Sequence, residues 1–84
     1  MIPDRSDTPS EDELQQLHDS SLALGFQYER AADLNTARVF YRMAVRAKPD
    51  SAWAWYNYGD ILLALKQNGE AVAPLMEAVR LAPG

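Results

Sequence analysis

Gly25 and Gly59 stand thirty-four residues apart, and so do Ala37 and Ala71, Ala44 and Ala78, and Pro49 and Pro83. The same shift carries Leu24 onto Tyr58, Tyr28 onto Leu62 and Tyr41 onto Leu75, so seven positions keep their apolar or small character without a gap. A fixed period of this length marks an array in which each repeat is one supersecondary unit. Within each copy, large and small apolar residues recur at spacings of three and four, which puts them on one helical face. The simplest structure is a helical hairpin, present twice, with aromatic and aliphatic side chains fitted against Gly59, Ala71 and Ala78.

These residues carry a resemblance. The tetratricopeptide repeat reads Trp-x2-Leu-Gly-x2-Tyr, then two spaced alanines around an aromatic, then a closing proline. Trp55, Gly59, Ala71, Ala78 and Pro83 match it, with Tyr58 and Leu62 as apolar exchanges. An earlier copy keeps Leu24, Gly25, Tyr28, Ala37, Tyr41, Ala44 and Pro49, but has Ser21 at the tryptophan position. The chain thus resembles that family over residues 18 to 84, as a first repeat (18–51) and a second (52–84). The resemblance implies an all-α, right-handed stack of two antiparallel helix pairs that holds partner proteins and has no chemistry of its own.

Residues 1–8, polar and without periodic apolar positions, read as a mobile tail preceding a helical domain over 9–84. Thr8-Pro9-Ser10-Glu11 starts a helix with Thr8 as cap, and Ser10-Glu11-Asp12-Glu13 offers the same logic two residues later. Either way Glu11, Asp12 and Glu13 fall in the first turn, where the helix dipole favours them. The first helix is expected over about 9–32, with extra turns around Leu14 and Leu17 capping the first hairpin. Asp33-Leu34-Asn35 reads as a turn, followed by helices over about 37–48, 52–67 and 69–81, with the last break at Asn68-Gly69. Pro74 falls inside the fourth helix, where a bend is expected.

Composition excludes several functions. Hydrophobic residues at 48% with 24% charged favour a folded chain over a disordered one. No apolar run approaches the ~18 residues that span a bilayer. The start also lacks the basic-then-apolar order of a signal peptide, so neither a membrane nor export is indicated and the default location is cytoplasmic. A net charge of −4 disfavours nucleic acid, whose phosphates draw on many bases. Charge is uneven: residues 1–35 carry eight acids and two bases, and residues 36–84 four acids and six bases. Opposite-sign ends can favour head-to-tail contact between copies, although both read more simply as solvated faces, as does the stripe Arg38, Arg42 and Arg46. There is no Cys and one His, and no phosphate loop, so neither a cofactor nor a catalytic site is indicated. Glu11, Asp12 and Glu13 point in different directions and do not suggest a metal site. His18 reads as a surface residue.

Two surfaces remain. In the family resembled, the first helix of each unit lines a groove, which places Leu22, Phe26, Glu29, Arg30, Trp53, Tyr56, Asp60 and Leu63 on it. Members that grip a chaperone's terminal carboxylate carry Lys and Asn there, and Leu22 and Phe26 are neither. The expected partner is a protein or peptide with an apolar segment and a basic or polar flank. Repeat stacks generally need three units and polar ends. Ile61, Leu65, Val72, Val79 and Leu81 are therefore expected to form an apolar flank, buried in a homo-oligomer or by further repeats of a longer array.

Overall fold

Ser10, and not Thr8, opens the first helix. Its hydroxyl accepts from Glu13 N–H at 3.1 Å while the Glu13 carboxylate accepts from Ser10 N–H at 3.2 Å, a reciprocal capping box. The computed structural model describes residues 8–82 and contains four helices there: α1 (Glu11–Arg30), α2 (Leu34–Ala47), α3 (Ala52–Ala64) and α4 (Asn68–Leu81). Met1 to Asp7, most of the expected tail, lie outside the described residues. The fold is all-helical: α1 packs on α2, α3 on α4, and α2 on α3.

Both hairpin turns lie earlier than the sequence suggested. Asp33 caps α2 by accepting from Thr36 N–H, so Leu34 and Asn35 are helical and not part of the turn. The reversal sits at Ala32, with φ 63°, and its repeat counterpart Lys66, with φ 62°. Around Ala32, Asp33 N–H donates to Tyr28 C=O (2.9 Å) and Ala32 N–H to Glu29 C=O (3.0 Å). Around Lys66, Gln67 N–H donates to Leu62 C=O (2.8 Å) and Lys66 N–H to Leu63 C=O (2.9 Å). These are two Schellman closures, which use up the orphan carbonyls of a helix end. Asn68-Gly69, the expected break, instead forms the first residues of α4, and Gly69 does not have a positive φ. The helix then runs unbroken through Pro74, whose ring is buried.

The core lies between the hairpins and within each. Tyr41, Ala37, Ala44 and Val45 of α2 meet Leu22 of α1 and Ala54 and Ile61 of α3, with Leu34, Trp55 and Tyr58 packed against them. The two glycines permit the close approach inside each hairpin. A Cβ on Gly25 would fall 2.6 Å from Tyr41 Cδ1, and one on Gly59 would fall 2.6 Å from Leu75 Cγ. A ring in the first hairpin and a branched side chain in the second are what these glycines admit. Trp55 adds a tie to the inter-repeat loop, its Nε1–H donating to Pro49 C=O at 2.7 Å.

His18 is a second tie, and it is buried, contrary to the surface position read from the sequence. Its Nδ1 lies 2.8 Å from Asp19 Oδ1 and its Nε2 2.8 Å from Ser51 Oγ. The carboxylate only accepts, so Nδ1 carries the proton and, in the neutral ring, Nε2 accepts from Ser51. Ser51 in turn accepts from Ala54 N–H and caps α3. Through His18, the first position of the first repeat, α1 thus reaches the start of the second hairpin.

Candidate functional site

Helical spacing sends Phe26, Glu29 and Arg30 off the same side of α1 and Asp60 off the facing side of α3. The structure brings these four together in one open cleft and adds Asn57, which the sequence reading missed. Asn57 is buried and donates from Nδ2 to Trp53 C=O at 2.8 Å. Its place one turn before Asp60 and Ile61 was the available signal. Glu29 is fixed from below by Tyr41, whose hydroxyl donates to it at 2.6 Å, and the Phe26 ring meets Tyr41 edge-on at 5.6 Å. Burial, then this bond, then the charges of Glu29 and Asp60 push the Tyr41 pKa above the ordinary tyrosine value. The cleft therefore presents two carboxylates and one guanidinium beside an aromatic ring.

Leu22 does not line this surface. It is 6% exposed and belongs to the core, because α3 lies over it. Leu63 is exposed but borders neither cleft described here. Trp53 and Tyr56 are exposed and stacked, with ring centroids 6.2 Å apart and planes 16° from parallel. Rather than joining the first cleft, they wall a second, apolar one at the end of the α3/α4 hairpin, shared with Leu75, Ala78 and Val79.

The expected apolar flank also divides. Ile61 is buried against the first hairpin, 1% exposed, and cannot serve as an open surface. Leu65 and Leu81 are half-buried. Val72 and Val79 are exposed, and Met76, which the sequence reading left out, is exposed between them. Spacings of four and three place Val72, Met76 and Val79 on one stripe of α4, and that periodicity was the missed signal.

The repeat supplies a frame for this end cleft. Shifting Tyr56, Leu75, Ala78 and Val79 back by thirty-four gives Leu22, Tyr41, Ala44 and Val45, all buried where α3 packs on the first hairpin. Val45 is 6% exposed and Val79 is 68% exposed. The rim changes as well: His18, Asp19 and Lys48 of the first repeat become Ala52, Trp53 and Ala82. The end cleft is thus the apolar counterpart of the junction that α3 fills internally.

Elsewhere, Arg38, Arg42 and Arg46 form the expected stripe on α2, in a depression over Tyr58 with Glu70 opposite, and Arg38 Nη1 donates to Gln67 Oε1 at 3.4 Å. Asp19 and Glu77 sit below the usual carboxylate range, held there first by bonds from His18 and from Arg80. Among the described residues, no cluster of His, Asp or Glu is placed to hold a metal, and no helix is long and apolar enough to cross a membrane.

Paired helices in a thirty-four-residue frame define a helical-repeat architecture. Residues 40–73, one full period, match the family model of the tetratricopeptide repeat, which supports a tetratricopeptide repeat assignment for that segment. Repeats of this family generally mediate contacts between proteins and are generally non-catalytic. Comparison with curated proteins and with solved structures gives no match.

Proposed function

We propose that this chain docks a segment of another protein across the adjoining faces of α1 and α3. The segment places an apolar side chain against Trp53 and Tyr56 and a basic flank toward Glu29 and Asp60. The observation that carries this reading is the exposed, stacked Trp53–Tyr56 pair on α3, about one to two helical turns before Asp60 of the cleft that holds two carboxylates. Large aromatics in contact surfaces supply much of the binding energy, and acids beside them select the sign of the partner's charge. A displayed peptide library selected on the wild-type protein tests it. Enriched peptides should carry an apolar anchor within a few residues of Lys or Arg, and Trp53→Ala with Tyr56→Ala should weaken them by about 2 kcal/mol or more, as for a hot spot. Peptides with acidic flanks, or peptides that bind the double variant unchanged while helicity is retained, would refute the reading.

A second reading is self-association through the end of the α3/α4 hairpin. It is favoured by the contrast between covered Val45 and uncovered Val79.

A further inference from the structure

The end of the second hairpin carries a hollow and a ridge side by side. The hollow is the apolar cleft between Trp53 and Tyr56 on α3 and Leu75 and Val79 on α4. The ridge is Val72 and Met76, outside the lining of that cleft on the adjacent edge of α4, with Met76 67% exposed. In the first repeat the same edge is Arg38 and Arg42, which face Tyr58 and Glu70 of the second hairpin across a depression; Arg38 is half-buried there and Arg42 remains exposed. A hairpin stacked as the second is stacked on the first would therefore border Met76 without burying it. An occupant that covers hollow and ridge together has a wider footprint than one repeat helix.

Resting on the self-association reading, we infer that this occupant is a second copy of the chain, related by a two-fold axis, with the α4 ridge of each copy seated in the α3/α4 hollow of the other. An isologous contact requires one patch to hold both a feature and its complement, so that residue i meets j while j meets i. This patch does. Head-to-tail stacking, the alternative suggested by the opposite charges of the two ends, fails on the outward face of α1. The α3 residues that fill the internal junction, Ala54 and Ile61, correspond on α1 to Ser20 and Gln27, both exposed. Seating that face in the end cleft would bury two polar side chains against a lining of Ala, Leu, Val and aromatic carbon, without partners for them. The ridge has no such groups.

The chain contains no Cys, so a single introduced thiol reports proximity directly. Sedimentation equilibrium over a dilution series should show a closed dimer. Met76→Lys should weaken it by at least about 30-fold, since a charge would be taken into the apolar seam, while the helical circular dichroism of this exposed-site variant stays the same. Gln27→Arg should leave the dimer intact. Under mild oxidation, a mixture of Met76→Cys copies and Val79→Cys copies should give the mixed disulfide-linked dimer, whereas a mixture of Gln27→Cys and Val79→Cys copies should not. A wild-type monomer at all concentrations overturns self-association and this geometry together. A dimer or an open-ended series that withstands Met76→Lys and is lost with Gln27→Arg keeps self-association and overturns the two-fold arrangement.

Discussion

The two hairpins share a backbone frame and differ in what fills it. Gly25 in the first admits the ring of Tyr41, which is wholly buried and anchored through its hydroxyl to Glu29. Gly59 in the second admits Leu75, which is only half-buried and has no polar anchor. Val45 is covered by the next hairpin and Val79 is not. Equivalent positions in a repeat thus acquire equal geometry from their own unit and unequal burial from their neighbour. The first hairpin is built as an interior element. The second leaves the equivalent face open, with Val79 exposed beside the apolar cleft. On the readings proposed above, a partner on Trp53 and Tyr56 and a second copy on the end cleft compete for the same two rings, so either one weakens the other.

The comparison breaks most sharply at its most unequal pair. Val45→Asp places an unpaired carboxylate in the core and should cost about 3 kcal/mol or more, enough to unfold a domain of this size under mild denaturant. Val79→Asp, in solvent, should change the stability of the monomer by no more than about 0.5 kcal/mol. Urea titrations of the two variants at low protein concentration measure the gap. Equal losses would mean that the two valines do not differ in burial.

Next come the glycines. Gly25→Ala drives a Cβ into a rigid, pinned ring, and overpacking of this kind costs about 1–3 kcal/mol, against a gain of about 1 kcal/mol in helix propensity. Gly59→Ala would set its Cβ 2.6 Å from Leu75 Cγ and 3.3 Å from the Leu75 backbone nitrogen, so it should also cost stability. The cost should be less than for Gly25→Ala, because Leu75 borders an open cleft into which it can shift. Thermal melts of the pair decide whether the difference in anchoring is real.

The third contrast is Tyr41→Phe. Removing a buried hydroxyl that bonds Glu29 should cost about 1 kcal/mol at neutral pH. In the wild type the folded-state pKa of Tyr41 is raised above the unfolded value of about 10. The stability this contributes is complete below about pH 10 and is lost as pH rises toward the folded-state value. Tyr41→Phe should therefore flatten the alkaline limb of a stability-versus-pH curve, measured by denaturant titration from pH 8 upward.

The smallest effect should fall on the turns. Ala32 and Lys66 hold left-handed backbone without being glycine, at about 1 kcal/mol each for an L side chain. Ala32→Gly and Lys66→Gly should each stabilise by about 0.5–1 kcal/mol, because the left-handed gain exceeds the entropy of the added freedom only slightly. A loss of stability in either would show that its side chain contributes more than the strain removed.

Much of this fold was legible because the period repeats side-chain size, and size at helical spacing states which faces can approach. That each glycine sits where a larger group comes close follows from that, whereas the groups themselves, Tyr41 at Gly25 and Leu75 at Gly59, came from the structure. The turn positions were not legible. Asn68-Gly69 carries the composition of a turn, yet the reversal occurs at Lys66, because the helix end is closed by backbone bonds that a lysine can also supply. His18 was misplaced for a related reason: its partner Ser51 is thirty-three residues away. Of the candidate surface, Phe26, Glu29, Arg30 and Asp60 converge as spacing implied, whereas Leu22 and Ile61 fall in the core. Helical phase gives direction but not what stands in the way.

The sequence alone determined the unit, its period and the residues on each helical face, since these depend on local geometry that every copy repeats. Only the tertiary arrangement decided which faces are spent on the neighbouring hairpin and which remain open. Leu22 and Tyr56, or Val45 and Val79, are indistinguishable by local phase. They part because burial is set by what packs from outside the unit, and only the first hairpin has α3 lying across it.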